Sequence, residues 1–164
     1  MLKEIVSELA LKNNKRREKA LISILSTLGI DYVIQPFEGG TNYIVDIGRP
    51  TGKRILVSSH HDSVSRSPGA NDNASAMAVS IGTILQLKEE PHTSPTRVVF
   101  FGQEEKRLQG SIAYVHQFGV SDISAVLNME LVGEGPVPFF WPHFPGFQDE
   151  NYIQTLTTAV NRIA

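Results

Sequence analysis

Histidine and carboxylate side chains lie at three places where a predicted strand ends, and in one loop between them. The residues are His60-His61-Asp62 after the third strand, Asn71-Asp72-Asn73 shortly afterwards, Glu104-Glu105 after the fourth strand and Glu130 after the fifth. One such residue alone is usually a solvated loop residue, so the signal is their coincidence. Several carboxylates brought to one place repel each other unless a cation lies among them. The pattern therefore predicts a divalent metal site.

The ligand types indicate which metal chemistry this site would support. The chain has no Cys, which excludes disulfide scaffolds, thiolate zinc sites and cysteine nucleophiles. A set of His and carboxylates suits catalytic zinc, or a related ion that keeps one position open for water, better than structural zinc. Two such ions need a bridging carboxylate and a separate base. On an extended stretch Glu104 and Glu105 would point to opposite sides, so one could bind metal while the other faces water and substrate.

Short β-branched runs and amphipathic segments predict the elements that must position these residues. Helices are predicted over 2–12, 15–28, 73–88, 108–118 and 148–164, and strands over 32–35, 42–47, 54–59, 97–101 and 125–129. Alternating strands and helices are typical of α/β proteins, so we expect a three-layer α/β/α architecture with a mostly parallel central sheet. In such sheets ligands bind beyond the carboxyl ends of the strands, where the candidate residues lie.

Two basic segments invite an anion-binding interpretation, and each has a simpler one. The stretch Gly48–Arg54 is one residue short of a phosphate loop and has Arg54 where a magnesium-binding Ser or Thr belongs, which favours a hairpin turn. A basic run follows the first predicted helix: Lys12, Lys15, Arg16, Arg17 and Lys19. Because the formal net charge of the chain is only −2, a solvated helix face is favoured over contact with nucleic acid.

Length and composition indicate one globular domain over residues 1–164. No stretch of the 164 residues approaches the roughly 20 consecutive apolar residues that a membrane helix needs. Glu4 and Glu8 interrupt the segment where a signal peptide would have its apolar core. We therefore expect a cytoplasmic protein without a membrane or nucleic-acid partner.

Four motifs resemble those of a known enzyme family, the two-zinc exopeptidases that include bacterial leucyl aminopeptidases and glutamate carboxypeptidases. They are residues 58–64 (SSHHDSV), 68–75 (PGANDNAS), 100–105 (FFGQEE, with Leu108 and Gly110-Ser111) and 127–133 (LNMELVG). They follow the order and spacing of the family, and the similarity runs from about Asn42 to Gly133. It implies the phosphorylase/hydrolase-like fold of zinc exopeptidases.

The resemblance implies a role for each metal ligand. His60 would bind one zinc ion, Asp72 would bridge two ions, and Glu105 would bind the second ion. Glu130 occupies a ligand position at which many aminopeptidases of this family have Asp. Glu is found there in related carboxypeptidases, which is a faint hint about specificity. A complete site would hold two zinc ions.

The same resemblance implies the residues that assist catalysis. Glu104 would be the general base that takes a proton from the water and passes it to the leaving amine. Asp62 would orient the ring of His60 and raise its basicity. The peptide bond between Asp72 and Asn73 would be cis.

One ligand of the family has no counterpart in this sequence. The last His of the family lies well downstream of the LNMELVG motif, and only His116 and His143 follow Glu105. His116 falls on a predicted helix, where a surface role fits best. His143 lies within the aromatic stretch 139–147, which suits an apolar pocket or lid and equally a core beneath a loop. We expect a chain truncated at its C-terminus that binds one zinc ion or none.

The functional prediction is a zinc-dependent exopeptidase that hydrolyses terminal peptide bonds, an aminopeptidase in the first instance, with carboxypeptidase activity left open. Its partner would be a peptide substrate. Two alternatives remain: a glutaminyl cyclase-like enzyme with one zinc ion, and a non-catalytic relative that serves as a binding or interaction module. For the 164-residue chain alone we expect little activity and a tendency to form homo-oligomers through an unpaired sheet edge.

Overall fold

The computed structural model describes residues 1–49, 52–89 and 94–135, together with Gln154 and Thr158. The chain divides into two compact units, Met1–Gly133 and Glu134–Ala164. In the second unit Gln154 and Thr158 are helical. His143 and the aromatic stretch around it lie outside the described residues, and the single domain over 1–164 stays a prediction.

The first unit contains the elements that the hydrophobic patterns predict, with ends shifted by a few residues. The helices are α1 (Leu2–Leu9), α2 (Asn14–Thr27), α3 (Ala76–Glu89) and α4 (Gln109–Phe118). The strands are β1 (Val33–Phe37), β2 (Gly40–Ile47), β3 (Arg54–His60), β4 (Thr96–Phe101) and β5 (Ile123–Asn128). An irregular helical turn, Ala70–Ser75, precedes α3. Within these described residues no helix has the length and apolarity needed to cross a bilayer.

The five strands form one mixed sheet in the order β1-β2-β4-β3-β5. β3 is parallel to both β4 and β5, whereas β2 is antiparallel to both β1 and β4. Two of the four strand pairs in the described sheet are therefore parallel, so the prediction of a mostly parallel sheet is not exact. The turn at Glu38-Gly39 joins β1 to β2, and so short a connection permits only an antiparallel pair.

The hairpin predicted at Gly48–Arg54 is also wrong. β2 and β3 are not neighbours, because β4 lies between them and pairs with both. The chain leaves β3, passes through the irregular turn and α3, and inserts β4 into the gap. Local turn chemistry cannot reveal such an insertion, since it depends on a strand that comes about 40 residues later.

Helices cover both faces of the sheet, as a three-layer α/β/α architecture requires. Along the central strands side chains alternate between two cores. One core joins the sheet to α1, α2 and α3, and it includes Val57, Val98 and Phe100. The other core joins the sheet to Tyr114 on α4, and it includes Leu56 and Val99.

The basic run near the first helix does not behave as one surface. Four of its members are exposed, namely Lys12, Lys15, Arg16 and Lys19. Arg17 is instead buried completely. The prediction of a solvated face is therefore wrong for Arg17, which shares a helical stripe with the buried residues Leu21, Ile24 and Leu25.

Parallel pairing brings the chemically active residues to one edge of the sheet. His60 ends β3 and pairs with Phe101, which ends β4. Glu104 follows β4 by three residues, and Glu130 follows the end of β5 by two. Because the carboxyl ends of parallel strands meet, these side chains lie at the same edge.

Candidate metal centre

The imidazole of His60 lies at the centre of the carboxylate cluster. The His60 side chain is 3% exposed. Its Nε2 atom lies 3.0 Å from Oδ1 of Asp72, 3.3 Å from Oε2 of Glu130 and 3.8 Å from Oε2 of Glu104. Three separate elements therefore direct carboxylates at one imidazole nitrogen.

Two groups of side chains could hold an ion, and both contain His60. The first consists of His60, Asp72 and Glu130, and the second of His60, Glu104 and Glu105; within each group the ligand atoms lie within 4.8 Å of one another. Within the described residues, Glu105 thus shares a group with Glu104 rather than with Asp72. The structure brings all of the predicted ligands to the same place.

Asp72 reaches the centre from the irregular turn between β3 and α3. Gly69 directly precedes this turn, and its positive φ of 56° is a conformation that favours glycine. Asp72 has non-helical backbone angles, and its peptide bond to Asn73 is cis. The predicted cis bond is therefore confirmed. The Asp72 carboxylate stays about half exposed, which leaves it accessible to ligands.

Two asparagines orient Glu130. The side-chain nitrogen of Asn73 donates to Oε2 of Glu130 over 2.6 Å, and that of Asn128 donates to Oε1 over 3.1 Å. Ser58 in turn donates to Oδ1 of Asn128. Asn73 and Asn128 are functional residues that the sequence did not predict, although each lies near a candidate ligand in the motifs 68–75 and 127–133. Amides that donate to a carboxylate ligand are the expected support for its orientation.

Asp62 lies beside the ring of His60, and it also contacts the segment that follows β4. Nδ1 of His60 lies 3.0 Å from the backbone oxygen of Asp62 and 3.5 Å from its carboxylate. The two carboxylate oxygens accept hydrogen bonds from the backbone N–H groups of Glu104 and Glu105, over 3.0 Å and 3.2 Å. Asp62 therefore ties the end of β3 to the segment that carries both glutamates.

Glu104 and Glu105 lie in a turn, whereas the sequence predicts an extended stretch. β4 ends at Phe101, and Gln103 has a positive φ of 56°. The turn continues until α4 begins at Gln109. One oxygen of Glu105 accepts a hydrogen bond from the backbone of Val64 over 3.2 Å, which fixes that carboxylate against the loop after β3. The two glutamates still have different surroundings, but the turn rather than strand alternation separates them.

The concentrated negative charge shifts the pKa values of the central residues. Burial disfavours the charged form of His60, but hydrogen bonds and charges from Asp62 and Glu130 outweigh it and raise the pKa of His60 to about 10. Burial raises the pKa of Glu104, and the neighbouring charges of Glu130 and Glu105 add to this increase. Both shifts are those of a site in which negative charge exceeds positive charge, so that a bound cation would stabilise it.

The donor set fits zinc. An imidazole nitrogen and carboxylate oxygens are the ligands of catalytic zinc sites. In the first group these donors come from a buried strand end and two partly exposed carboxylates, so the site combines a fixed ligand with access from solvent. The hydrogen bonds to His60 and Glu130 supply the support that such ligands require.

Two other histidines in the described part of the chain, His61 and His116, do not join these groups. His116 is exposed on α4, as the sequence predicts. His61 is buried, its Nε2 atom lies 2.9 Å from the backbone oxygen of Thr41, and its ring packs edge-on against Tyr43. His61 therefore supports the fold beside the centre.

Comparison with known proteins relates this geometry to other chains. The sequence profile of peptidase family M28 matches residues 42–164. Aminopeptidase YwaD of Bacillus subtilis is 37% identical over 82 residues, which cover 48% of this chain and 18% of that protein. The structure of BSAP, a zinc aminopeptidase from Bacillus subtilis, superposes with a TM-score of 0.54 at 32% identity, covering 57% of this chain and 24% of that one.

A wider structural likeness extends over nearly the whole chain. Glutaminyl cyclase of Tannerella forsythia superposes with a TM-score of 0.74, covering 99% of this chain and 70% of that one. Its identity is 16%, so this likeness concerns the fold alone. The segment that matches aminopeptidase YwaD spans less than a fifth of the length of that protein.

Proposed function

The chain belongs to peptidase family M28, and we propose that it carries the metal-binding half of a zinc-dependent exopeptidase active site, that of an aminopeptidase. The observation that carries this proposal is the convergence of Asp72, Glu104 and Glu130 on Nε2 of His60. These residues come from three separate segments that the fold brings to one edge of the sheet, and all three present carboxylates to the same imidazole nitrogen. The substrate would be a peptide.

His60, Asp72 and Glu130 would hold the tightest zinc ion. Zinc bound there would polarise the scissile carbonyl group and lower the pKa of a water molecule beside it. Asn73 and Asn128 hold Glu130 through both of its oxygens, so this ligand needs little reordering. The backbone oxygen of Asp62 would hold the Nδ1–H tautomer of His60, which leaves Nε2 free to bind.

Glu104 would act as the general base. Its carboxylate is about one-third exposed and lies close to the first group without the short contact to His60 that Asp72 makes. The raised pKa of Glu104 makes its carboxylate a stronger base than an ordinary glutamate. Asp62 would hold Glu104 in place through the backbone N–H group.

We propose one tightly bound zinc ion for the 164-residue chain. Both candidate groups use His60, and one imidazole nitrogen can bind only one ion. The first group has the shorter distances, so it should be filled first. Glu104 and Glu105 would then be left as two carboxylates without an imidazole, and such a pair binds zinc weakly.

Zinc titration and peptide hydrolysis test this proposal together. Calorimetry with the 164-residue chain should show one high-affinity ion. A form extended to the length of the family relatives should hydrolyse aminoacyl anilides, and Glu104→Gln should abolish this activity without removing the zinc. Cyclisation of glutaminyl peptides by the extended form, without anilide hydrolysis, would favour the cyclase alternative. Absence of both zinc binding and turnover would favour a non-catalytic binding module.

Self-association through the edge of the sheet is a separate proposal. β5 lies at one edge of the described sheet, and an edge strand can pair with another chain. Sedimentation of the 164-residue chain at several concentrations should therefore show dimers or larger species. A monomer at all concentrations would contradict the proposal.

A further inference from the structure

Arg17 is a buried cation at the border of the metal centre. It is 0% exposed, while the adjacent Arg16 is exposed on the same helix. Arginine is rarely buried without partners, because removing its charge from water is costly. The partners of Arg17 therefore indicate what its burial achieves.

The guanidinium of Arg17 binds the backbone of the loop that leads to Asp72. Its Nη1 atom donates to the oxygen of Gly69 over 3.4 Å, and its Nη2 atom donates to the oxygens of Pro68 and Leu11. Since the guanidinium fork is planar and rigid, donating to consecutive carbonyls fixes the orientation of the peptide between them. Pro68 and Gly69 are the residues that enter the turn carrying Asp72.

Gly69 shows that the contact is tight from the other side. A Cβ atom at Gly69 would overlap the guanidinium of Arg17 and would lie 2.5 Å from the backbone oxygen of Asp72. The oxygen of Gly69 also accepts a hydrogen bond from the backbone of Ala74 over 3.0 Å. The Gly69 carbonyl thus accepts hydrogen bonds from both Arg17 and Ala74, and it links Arg17 to the segments before and after Asp72.

Arg17 also supplies positive charge to the carboxylates of the centre. Burial lowers its pKa, and the charges of Asp62, Asp72 and Glu105 oppose this effect. An arginine side chain keeps its charge in proteins. It can therefore reduce the repulsion among these carboxylates before any zinc is bound.

We infer that Arg17 is a positioning residue that holds the Pro68–Asp72 loop in the geometry that zinc requires. It reaches no substrate, since it is completely buried, and it acts through the backbone that carries Asp72. The loop-holding role stands on the contacts alone, whereas the effect on zinc affinity rests on the proposed function.

Four variants separate this role from an ordinary contribution to stability. Arg17→Met removes the donors and the charge, and Arg17→Lys keeps the charge but loses the planar fork. Arg16→Met makes the same chemical change at the exposed neighbour. Leu21→Ala destabilises the same helix from a fully buried apolar position, and it removes neither a hydrogen-bond donor nor a charge.

Two measurements are made on each variant of the 164-residue chain. The first is zinc affinity by chelator competition at a temperature where the variant is folded. The second is amide hydrogen exchange of Ala74 in the metal-free protein, compared with amides of β4. Arg17→Met should weaken zinc binding roughly 10- to 100-fold and Arg17→Lys less, because supporting groups of a metal ligand contribute on this scale. Arg16→Met should change nothing.

Exchange at Ala74 should accelerate in Arg17→Met more than exchange in β4. Leu21→Ala should lower the melting temperature but keep zinc affinity within about twofold of the parent. The inference is overturned if Ala74 keeps its protection in both Arg17 variants, or if Leu21→Ala weakens zinc binding as much as Arg17→Met. Should the parent bind no zinc, the proposed function fails, and the exchange of Ala74 still decides the role of Arg17. If Arg17→Met does not fold, Arg17→Lys is judged by the same criteria.

Discussion

Oδ1 of Asp62 lies 3.0 Å from the backbone nitrogen of Glu104, although 42 residues separate them in the chain. The second oxygen of the same carboxylate accepts from the backbone of Glu105. One buried side chain after β3 therefore sets the position of both glutamates after β4. Hydrogen bonds from neighbouring residues thus fix the segments and side chains that carry the carboxylates of the centre.

Asp62→Asn should weaken the centre without removing a zinc ligand. An amide can accept only one of the two backbone hydrogen bonds and presents N–H₂ to the other donor. We expect the melting temperature to fall and zinc affinity to drop by about tenfold. Thermal unfolding and zinc titration measure the two effects. Asp31→Asn, at an exposed position two residues before β1, is the matched control; equal effects from both variants would contradict the role of Asp62.

Glu104→Gln and Glu105→Gln should separate base from ligand. In a form of the protein that hydrolyses peptides, Glu104→Gln should reduce turnover at least 100-fold while tightly bound zinc stays at the parent level. Glu105→Gln should instead reduce binding of any second, weaker ion. Metal analysis after dialysis, combined with steady-state kinetics, distinguishes the two. Loss of the tight zinc ion in both variants would show that the division of roles is wrong.

Asn128→Ala tests the support of Glu130. Asn128 donates to Oε1 of Glu130, whereas Ser124 on the same strand donates to the backbone of Arg54. Removing the Asn128 amide should lower zinc affinity up to about tenfold, because Glu130 keeps its bond from Asn73. Ser124→Ala should leave zinc affinity unchanged. Calorimetric titration of both variants gives the comparison, and identical affinities would exclude this support.

Zinc binding should release a proton. The pKa of His60 in the metal-free protein is raised to about 10, so His60 is protonated at neutral pH and must lose its proton to bind zinc. Apparent zinc affinity should therefore rise with pH, by about tenfold per pH unit below this pKa. Calorimetry in buffers of different ionisation enthalpy should detect about one released proton. An affinity that does not change with pH would contradict the protonated state.

Much of this arrangement could be predicted because it depends on local patterns. The β-branched runs predict strands that end at Ser59 and Phe101, within one residue of the observed ends, and parallel pairing then places the carboxylates together. The resemblance of four motifs supplied the cis bond at Asp72 and the identity of each candidate ligand. The strands follow from periodicity within short segments, whereas the cis bond and the ligand assignments are implied by the family resemblance alone.

Other features depend on contacts between distant segments and could not be predicted in this way. The insertion of β4 between β2 and β3 is a choice of topology that no local turn encodes. The hydrogen bonds that the backbone N–H groups of Glu104 and Glu105 donate to Asp62 form only because β3 and β4 are neighbours. The burial of Arg17 could have been predicted from the sequence, because its spacing to Leu21 and Ile24 places it on the apolar stripe of α2.

Zinc titration of the 164-residue chain and of its His60→Ala variant tests the central claim most directly. The proposed centre predicts one tightly bound ion in the parent and none in His60→Ala, because both candidate groups depend on this imidazole. His116→Ala, which changes an exposed histidine on α4, should bind zinc like the parent. Tight binding that survives His60→Ala, or a parent chain that binds no zinc, would contradict a metal centre at the ends of these strands.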